Sequence, residues 1–280
     1  MLLIIDSGAT KTEYYLTENG EVLYRYINGG INVNYSGDDE INTILREFIS
    51  SHQLPANLTV DKIVYYGAGC ANEKNCKRIK FIFRQFYPDA DILVYSDLMA
   101  ACHALCGNNA GLVGILGTGS SSCLYDGKDI IDMAPSLGYL LGDEGSGTYL
   151  GKLFLTAYLQ NQFHDELKNN FETKFKLSPA KIIHNLYQNP NPNRFMASFA
   201  PYISEHLDDF FLSQLCIQAF TAFFKSQIYY YPDYQNYKLN LLGSIAKSFK
   251  VIIEQTAADN GIQIGHIKAS PMAELIRYYK

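Results

Sequence analysis

The opening segment of the chain, LLIIDSGATKTEYYLTENGEVL, constrains the fold most, because a short polar turn separates two apolar, extended stretches. Leu2 to Ile5 have the apolar, β-branched composition of a buried strand, and Glu13 to Leu16 resume an extended alternating pattern. The turn between them contains an acidic side chain, a glycine and hydroxyl groups. This combination predicts a hairpin that binds phosphate through backbone N–H groups. An ordinary tight hairpin, in which Asp and Gly serve only the turn, is the alternative.

Each residue type in this first turn suits a bound phosphate and its metal ion. Gly8 carries no Cβ, so backbone N–H groups can approach an anion closely there. Thr10 and Thr12 offer hydroxyl donors to phosphate oxygens, and Lys11 adds positive charge. Asp6, at the carboxyl end of the strand, is expected to face Mg²⁺ and its waters rather than the phosphate itself.

Residues 110 to 125, AGLVGILGTGSSSCLY, repeat the plan of apolar strand, glycine and hydroxyl turn, and apolar strand. The second turn is predicted to consist of Gly117, Thr118, Gly119 and Ser120. Two phosphate-binding hairpins, each opening one half of the chain, indicate two related lobes that clamp one nucleotide in a cleft.

Six strings occur along the chain in the order DSGATKT, YSDLMAA, ILGTGSSSCL, GYLLGDEGSG, LLGSIA and SPMAELI. In this order they resemble the sugar kinase, Hsp70 and actin ATPase superfamily, and within it the N-acetylglucosamine kinase and BadF/BadG/BcrA/BcrD ATPase family. The resemblance covers nearly the whole chain. It implies an α/β protein with the two-lobed ribonuclease H-like (actin-like) ATPase fold, and ATP and Mg²⁺ as cofactors.

The N-terminal part of the chain alternates predicted strands with predicted helices. Asn19 and Gly20 supply a hairpin turn between the second and third strands, and residues 38 to 53 carry helical periodicity. This alternation predicts an α/β fold. Further along, the two prolines of YQNPNPNRF, residues 187 to 195, predict a loop, and residues 245 to 258 are predicted to form one helix.

The distribution of these elements predicts two lobes. We expect an N-terminal ATPase lobe at 1–106 and a C-terminal ATPase lobe at 107–280. An almost wholly helical tract at about 146–230 is expected to be an insertion in the second lobe. The resemblance implies that the final helix, predicted at 271–279, packs back on the first lobe.

Asp97, in YSDLMAA, follows a predicted buried strand and starts a predicted helix. Its carboxylate is therefore expected at the exposed end of the strand, where a general base accepts the proton of an alcohol. The alternative is that Asp97 caps the helix, a role that Ser96 could equally fill. The family resemblance favours the catalytic role for Asp97 and places it among the sugar contacts.

A glycine-rich turn and a polar loop supply further candidate sugar contacts. The resemblance implies that Asp143, within GYLLGDEGSG, grips sugar hydroxyls bidentately, whereas Glu144 could be a first-turn helix charge. Asn34, in the loop GGINVNYSG, matches the family position that touches the sugar, and its amide provides both donor and acceptor. Asn32 is close enough to be the alternative, and either amide could merely cap a turn.

The second hairpin departs from the family pattern at one position. After GTGS the N-acetylglucosamine kinases carry Asn, whereas this chain has Ser121. The shorter side chain implies either a water that completes the contact or a different sugar. Ser120 and Ser121 are both candidate sugar contacts.

LLGSIA, residues 241 to 246, resembles the family's adenosine segment. Gly243 would let the base or ribose lie on the backbone, and Ser244 adjoins it. The alternative is a plain strand-to-helix turn with Ser244 as the N-cap.

The composition limits partners and location. Charged residues are 18% of the chain and the formal net charge is −5, so a nucleic-acid partner is not expected. The start MLLIID meets Asp6 too soon for a signal peptide or a membrane span, which predicts a cytoplasmic protein without a membrane partner. The six cysteines lack paired C-x-x-C spacing and are expected to be free thiols.

The leading hypothesis from the resemblance is an ATP-dependent amino-sugar kinase that phosphorylates N-acetylglucosamine or a close relative at the C6 hydroxyl. N-acetylmuramic acid and glucosamine are near alternatives, so the expected partner is a small amino sugar, and a homodimer stays open. A rival is the ATPase that activates 2-hydroxyacyl-CoA dehydratases, which needs cysteines holding an iron–sulfur cluster between two subunits. A non-catalytic sensor with the same fold is the third hypothesis.

Overall fold

The computed structural model describes residues 1–8, 10–34, 36–51 and 59–280. Ala9 of the first turn and the last two residues of the helix predicted at 38 to 53 lie outside the described residues. The chain divides into two compact units. The first unit comprises Met1–Asn108 and Pro271–Lys280, and the second comprises Asn109–Ser270.

The secondary structure begins as an alternation of strands and helices. Up to residue 108 the elements are β1 (Leu2–Ser7), β2 (Lys11–Glu18), β3 (Glu21–Gly29), α1 (Asp38–Ser51), β4 (Lys62–Gly67), α2 (Glu73–Arg84), β5 (Asp91–Ser96) and α3 (Asp97–Leu105). From residue 109 they are β6 (Gly111–Leu116), β7 (Ser120–Tyr125), β8 (Ile130–Met133), α4 (Gly138–Leu141), α5 (Gly147–Leu159), α6 (Asp165–Phe175), α7 (Pro179–Gln188), α8 (Pro192–Ala197), α9 (Ala200–Glu205), α10 (Phe210–Phe223), a π-helical turn (Phe224–Ile228), a 3₁₀ turn (Tyr234–Asn236), β9 (Leu239–Leu242), α11 (Ser244–Ser248), α12 (Lys250–Asp259) and β10 (Ile264–Lys268). The last helix, α13 (Met272–Tyr278), belongs to the first unit.

The first unit is built on a five-stranded sheet with the order β3-β2-β1-β4-β5. The strands β1, β2 and β3 pair antiparallel, whereas β1, β4 and β5 run parallel. The predicted hairpin turn at Asn19 and Gly20 is confirmed, with φ of 50° and 80°. Both values lie in the left-handed region that a two-residue hairpin of this kind requires.

Alternate residues of β1 enter two different hydrophobic cores, because successive side chains of a strand point to opposite faces. Leu3 and Ile5 pack with residues of α1 and α2, whereas Ile4 packs with residues of α3 and α13. The sheet is therefore covered by helices on both faces, which explains the unbroken apolar run LLII. Its carboxyl edge is the part available for chemistry.

The second unit repeats the same strand order. Its five-stranded sheet has the order β10-β9-β6-β7-β8. The strands β6, β7 and β8 pair antiparallel, and β6, β9 and β10 run parallel. Thus β8, β7, β6, β9 and β10 occupy the places that β3, β2, β1, β4 and β5 occupy in the first sheet.

The helical tract of the second unit packs around an aromatic core. Its fully buried side chains include Phe154, Phe171, Phe199, Phe220 and Phe223. Ring pairs such as Phe154 and Phe171, with centroids 5.4 Å apart, add to the apolar burial. Within the described ranges, each helix is too short or too polar to span a lipid bilayer.

Two local predictions are wrong. The loop predicted at 187 to 195 is shorter, because α7 continues to Gln188 and Pro192 opens α8. Proline is well suited to the first helical position, where its missing N–H has no partner to lose. The single helix predicted at 245 to 258 is divided into α11 and α12 at Phe249.

Candidate active site

Two carboxylates lie at the carboxyl edge of the first sheet. Asp6 is the penultimate residue of β1, and Asp97 opens α3 directly after β5. The strand ends are level, since Ser7 pairs with Gly67 and Gly67 pairs with Ser96. Ligands of open α/β sheets bind outside the carboxyl ends of the parallel strands, so this is the edge where chemistry is expected.

Burial raises the pKa of both carboxyl groups. The pKa of Asp6 rises to about 7, mainly because burial removes water from its carboxylate and also because the Asp97 and Glu13 carboxylates face it. The nearby Lys11 ammonium acts in the opposite direction. The pKa of Asp97 is also raised by burial, against the hydrogen bond that it accepts from the Leu98 N–H at 2.9 Å. A raised pKa is typical of a carboxylate that works as a base near neutral pH.

The cap of α3 is Ser96 and not Asp97. Ser96 Oγ accepts a hydrogen bond from the Met99 N–H at 3.2 Å, in the usual geometry of an N-cap. Asp97 is therefore not the N-cap residue, although its carboxylate accepts the Leu98 N–H of the first turn at 2.9 Å. Its half-buried carboxylate lies in the first turn of the helix, where the helix dipole favours negative charge.

The first hairpin holds Lys11 in an ion pair. Its ammonium contacts one oxygen of Glu13, and Arg25 lies 3.9 Å from the other. The Glu13 side chain is 4% exposed, whereas that of Lys11 is 57% exposed. The turn is closed by a hydrogen bond of 2.9 Å from the Gly8 N–H to the Lys11 carbonyl, and Thr10 is exposed. Phosphate binding by Gly8, Thr10 and Lys11 stays a prediction.

Thr12 requires a correction. The structure places it in the interior, with 0% of its surface exposed. Its hydroxyl donates to the Gly29 carbonyl at 2.9 Å and lies 2.7 Å from Ser7 Oγ. Thr12 therefore ties β1, β2 and β3 together and does not face a phosphate. The sequence missed this because Thr suits both a turn and a buried strand.

The loop after β3 distinguishes between the two candidate asparagines. Asn32 Oδ1 accepts the Asn34 N–H at 3.1 Å, so Asn32 stabilises the turn. The loop continues the sheet edge, because Asn32 bridges to Ala68 and the Val33 N–H donates to the Ala68 carbonyl at 3.2 Å. Asn34 itself is exposed at this edge. Its contact with a sugar stays a prediction.

Two residues of α2 hold this loop, and sequence reasoning missed both. Arg78 donates to the carbonyls of Val33 and Ser36, each at 2.8 Å, and pairs with Asp38 at 2.6 Å. Asn75 donates to Asn34 Oδ1 at 2.8 Å. The available signal was their three-residue spacing, which places both on one side of a helix.

The turn of the second hairpin is fastened to the start of α5. The Gly147 N–H donates to the Gly117 carbonyl at 2.8 Å. The Thr148 N–H and hydroxyl both donate to the Thr118 carbonyl, at 3.2 and 2.6 Å. Ser146 caps the helix by accepting the Tyr149 N–H at 3.1 Å. These bonds fix the backbone of the turn that was predicted to bind phosphate.

Gly243 lies directly against the same turn. Its φ of +124° favours glycine, and a Cβ would lie 2.2 Å from the Leu116 carbonyl oxygen. The close approach brings Ser244, the first residue of α11, beside the hairpin. The N-cap residue of α11 is Gly243. The alternative role of Ser244 as the N-cap is therefore wrong.

A cavity of about 350 Å³ opens where these segments meet. Its lining includes Gly117, Thr118, Ser244, Ser248 and Glu205, together with small and apolar residues of α8, α9 and α11. Its volume lies within the range of small-molecule sites. The structure thus joins two predicted nucleotide segments in one cavity and adds α9, which sequence reasoning did not assign to the site.

Asp143 lies in the turn between α4 and α5 and contacts the second hairpin. Its Oδ1 accepts the Ser120 N–H at 3.2 Å, and a Cβ on Gly119 would come within 3.0 Å of its Oδ2. Burial raises the pKa of Asp143, and the adjacent Glu144 carboxylate raises it further. The Ser120 hydroxyl is buried without a hydrogen-bond partner among the residues that the structure describes. Such a group favours a polar ligand at this point.

Ser121 points away from Ser120, because neighbouring side chains alternate across β7. Ser120 and Ser122 are buried, and Ser121 is half-buried. The Ser122 hydroxyl lies 2.9 Å from Tyr231 Oη inside the unit. Contact of Ser121 with a sugar stays a prediction.

The carboxylates of the first unit suit a magnesium ion. Among the described residues, no group of three or more His, Cys, Asp or Glu side chains is arranged as a complete metal site. Magnesium does not need one, since it keeps several waters and binds through one or two carboxylates plus substrate phosphates. The mutual repulsion of Asp6, Asp97 and Glu13 is what a divalent cation would relieve.

Two of the cysteines are unsuited to an iron–sulfur site. Cys102 and Cys123 are completely buried. A cluster between two subunits would need cysteines at the surface. Cys102 and Cys123 are therefore not available to such a cluster.

Comparison with known proteins assigns the family. The family model of the BadF/BadG/BcrA/BcrD ATPase family matches residues 5–209. The chain belongs to this family. The predicted family is therefore confirmed, and with it the class of ATP-using enzyme. No curated protein matches the chain.

Solved structures related to this ATPase-family chain confirm the fold. A protein from Porphyromonas gingivalis provisionally named N-acetylglucosamine kinase has 35% identity and a TM-score of 0.93, covering 100% of this chain and 98% of its own. A protein from Chromobacterium violaceum with the same provisional name has 16% identity and a TM-score of 0.69, with coverage of 100% and 98%. The ethanolamine utilization protein EutJ from Carboxydothermus hydrogenoformans has 12% identity and a TM-score of 0.53, with coverage of 99% and 89%. The predicted two-lobed, actin-like α/β fold is confirmed.

Proposed function

We propose that this BadF/BadG/BcrA/BcrD family member is an ATP-dependent amino-sugar kinase. It transfers the γ-phosphoryl group of ATP to the C6 hydroxyl of N-acetylglucosamine or a close relative, in the cytoplasm. The observation that carries the proposal is the half-buried Asp97 carboxylate at the carboxyl edge of the first sheet. The provisional name of the P. gingivalis protein, at 35% identity over the whole chain, supports the choice of sugar.

The second unit supplies the nucleotide site in this proposal. The cavity between the Gly117 turn and α11 takes the nucleoside, and Ser244 and Glu205 offer polar contacts at its wall. In this proposal the turn of Gly117, Thr118 and Gly119 lies against the phosphates, with the N–H groups of Thr118 and Gly119 as donors, because the Gly117 N–H already donates to the Gly119 carbonyl at 3.0 Å. The hairpin of the first unit, with Gly8, Thr10 and Lys11, takes the terminal phosphates.

The reaction needs positioning and one proton transfer. The C6 hydroxyl oxygen attacks the γ-phosphorus, its proton moves to the Asp97 carboxylate, and the bond to the β-phosphate oxygen breaks to release ADP. Asp143, Ser120 and Asn34 are the proposed contacts for the sugar hydroxyls and substituents. Asp6 would hold a magnesium ion through water, and the ion would supply charge neutralisation for the phosphates.

A panel of sugars tests the proposal. The panel contains N-acetylglucosamine, N-acetylmuramic acid, glucosamine and glucose, each with ATP and Mg²⁺, scored for ADP release and for product mass. We expect sugar-dependent ADP release and a product heavier by one phosphoryl group. ADP release that is independent of every sugar would reject the kinase and favour an ATPase of another role. A phosphorylated N-acetylmuramic acid or glucosamine alone would retain the kinase and change the substrate.

A further inference from the structure

The first hairpin contains a carboxylate that is buried beside a second carboxylate. Glu13 lies directly opposite Asp6 in the register of β1 and β2, and only 4% of its side chain is exposed. Like charges opposite each other destabilise a sheet, and a buried charge needs a partner of opposite sign. Two cations supply that partner. The Lys11 ammonium contacts one oxygen of Glu13, and Arg25 Nη2 lies 3.9 Å from the other.

The two cations beside Glu13 are held in different ways. Arg25 is the partner of Tyr15 in the register of β2 and β3, and its guanidinium lies over the Tyr15 ring, 5.3 Å from the centroid. This ring contact keeps the guanidinium next to Glu13, because Glu13 and Tyr15 lie on the same face of β2. Lys11 carries its ammonium on a flexible stem, and 57% of its side chain is exposed. Lys11 is therefore the cation that can move.

The buried carboxylate competes with a phosphate for the Lys11 ammonium. If Lys11 were the sole cation beside Glu13, its transfer to a phosphate would leave a buried charge unpaired next to Asp6. Removing one partner of a buried ion pair in this way is strongly unfavourable. Because Arg25 stays beside Glu13 when Lys11 leaves, the carboxylate keeps a partner throughout.

We infer that Arg25 is a positioning residue that lets Lys11 move from Glu13 to the terminal phosphates of the nucleotide. The inference rests on the proposed function, in which Lys11 contacts these phosphates, and it adds two residues that the sequence did not assign to the site. Arg25 acts through Glu13 and does not itself contact the nucleotide. Its removal should therefore weaken the binding of phosphates and not the binding of the nucleoside.

Titration calorimetry with ATP and Mg²⁺ tests this role. Arg25→Met leaves Lys11 as the sole cation beside Glu13, so we expect the affinity for ATP to fall roughly threefold to tenfold. Arg25→Lys restores a cation and should recover most of the affinity. The affinity for AMP, which lacks the terminal phosphates, should not change in either variant. Arg46→Met is the matched control, because Arg46 is another exposed cation of the first unit that lies over an aromatic ring, that of Phe86.

A double-mutant cycle tests whether Arg25 acts through Glu13 and Lys11. Glu13→Gln removes the charge that retains Lys11, so adding Arg25→Met to this variant should leave the affinity for ATP as it is. Lys11→Met should itself lower the affinity about tenfold, and Arg25→Met should add nothing further in that background. Thermal unfolding of each variant confirms that it is folded.

The outcomes separate this inference from the proposed function. A wild-type protein that phosphorylates no sugar overturns the proposed function, and one that binds no ATP overturns the inference as well. ATP binding that is equally tight in the wild type and in Arg25→Met overturns the inference alone. A loss of equal size on adding Arg25→Met to the wild type, to Glu13→Gln and to Lys11→Met would show a long-range effect of charge, and it also overturns the inference.

Discussion

The backbone N–H of Ser120 donates a hydrogen bond of 3.2 Å to the carboxylate of Asp143, which joins the second hairpin to the GYLLGDEGSG turn. Asp143 makes this contact with a φ of 58°, in the left-handed region. Asp and Asn tolerate this region better than other non-glycine residues. The contact therefore combines backbone geometry with charge, and the two can be separated by mutation.

Asn in place of Asp143 should lower kcat/KM for the sugar while the protein stays folded. Its amide oxygen still accepts the Ser120 N–H, and its backbone still suits a positive φ. We expect kcat/KM for the sugar to fall about 10- to 100-fold, because a charged hydrogen bond contributes roughly 1.5–3 kcal/mol. The KM for ATP and the melting temperature should stay near wild type. Unchanged sugar kinetics would remove Asp143 from the acceptor site.

Asn in place of Asp97 should abolish proton acceptance. We expect kcat to fall ~10²–10⁴-fold while ATP still binds, since this is the usual contribution of a general base. Ser96→Ala is the control, because it removes the cap of the same helix and should cost about 1 kcal/mol of stability with little change in kcat. Steady-state kinetics of both variants measure kcat, and thermal unfolding measures their stability. Near-normal turnover of Asp97→Asn would exclude Asp97 as the base.

Gly243→Ala should disrupt the cavity of the second unit. A Cβ at this position would lie 2.2 Å from the Leu116 carbonyl oxygen, so the backbone of β6 or of α11 must move. We expect ATP affinity to fall at least tenfold, measured by calorimetry. Gly261→Ala is the matched control: its φ is also positive, at +69°, but a Cβ there meets nothing within 4 Å. That variant should lose only about 1 kcal/mol of stability and keep its ATP affinity. Equal loss of affinity in both would refute the steric argument.

His103 should contribute stability that is lost as the pH falls from about 6.5 towards 4, whereas Asp6, whose pKa is raised to about 7, contributes in the opposite direction over the same interval. Burial lowers the pKa of His103 to about 4 from the model-peptide value of 6.5. The unfolded chain therefore binds a proton in this pH interval that the folded chain does not, so acid favours unfolding. The contribution is up to roughly 3 kcal/mol, fully present above pH 6.5 and lost as the pH falls.

Two aromatic side chains contact this buried imidazole. His103 Nδ1 lies 2.6 Å from Tyr66 Oη, and its ring stacks on Tyr278 at 4.4 Å. Urea unfolding at pH 7 and pH 4.5 measures the slope of the unfolding free energy against pH. A His103→Gln variant should be less stable than the wild type at pH 7, and this difference should shrink at pH 4.5, whereas His184→Gln, at an exposed position, should follow the wild type. A His103→Gln slope equal to that of wild type would contradict this assignment.

The sequence was sufficient to predict an element or a site residue wherever the local pattern and the tertiary environment favoured the same structure. The strands around Asp6 and the Asn19–Gly20 turn were predictable, because a buried strand and a two-residue hairpin each have strong local signals. The place of Asp97 followed in the same way, since a strand that ends in Ser-Asp before an apolar run signals a helix start. These predictions need only neighbours in the chain.

Other features depend on partners far away in the sequence. Thr10 and Thr12 occur in the same polar segment of the sequence. Only the structure shows that Thr12 is buried and donates a hydrogen bond to the Gly29 carbonyl. The spacing of Asn75 and Arg78 indicates one side of a helix, but it does not indicate that Arg78 binds Val33, because the partner is a backbone carbonyl, which every residue carries. Side chains that recognise backbone are therefore the part of such a site that a single sequence reveals least.

The return of α13 to the first unit has a consequence for truncated forms of this protein. The second unit is one uninterrupted stretch from Asn109 to Ser270, whereas the first unit is assembled from two separate pieces of chain. Met272 and Leu275 of α13 fill the core around Ile4. A premature stop codon after Ser270 would therefore spare the half of the molecule that was made last and damage the half that was made first.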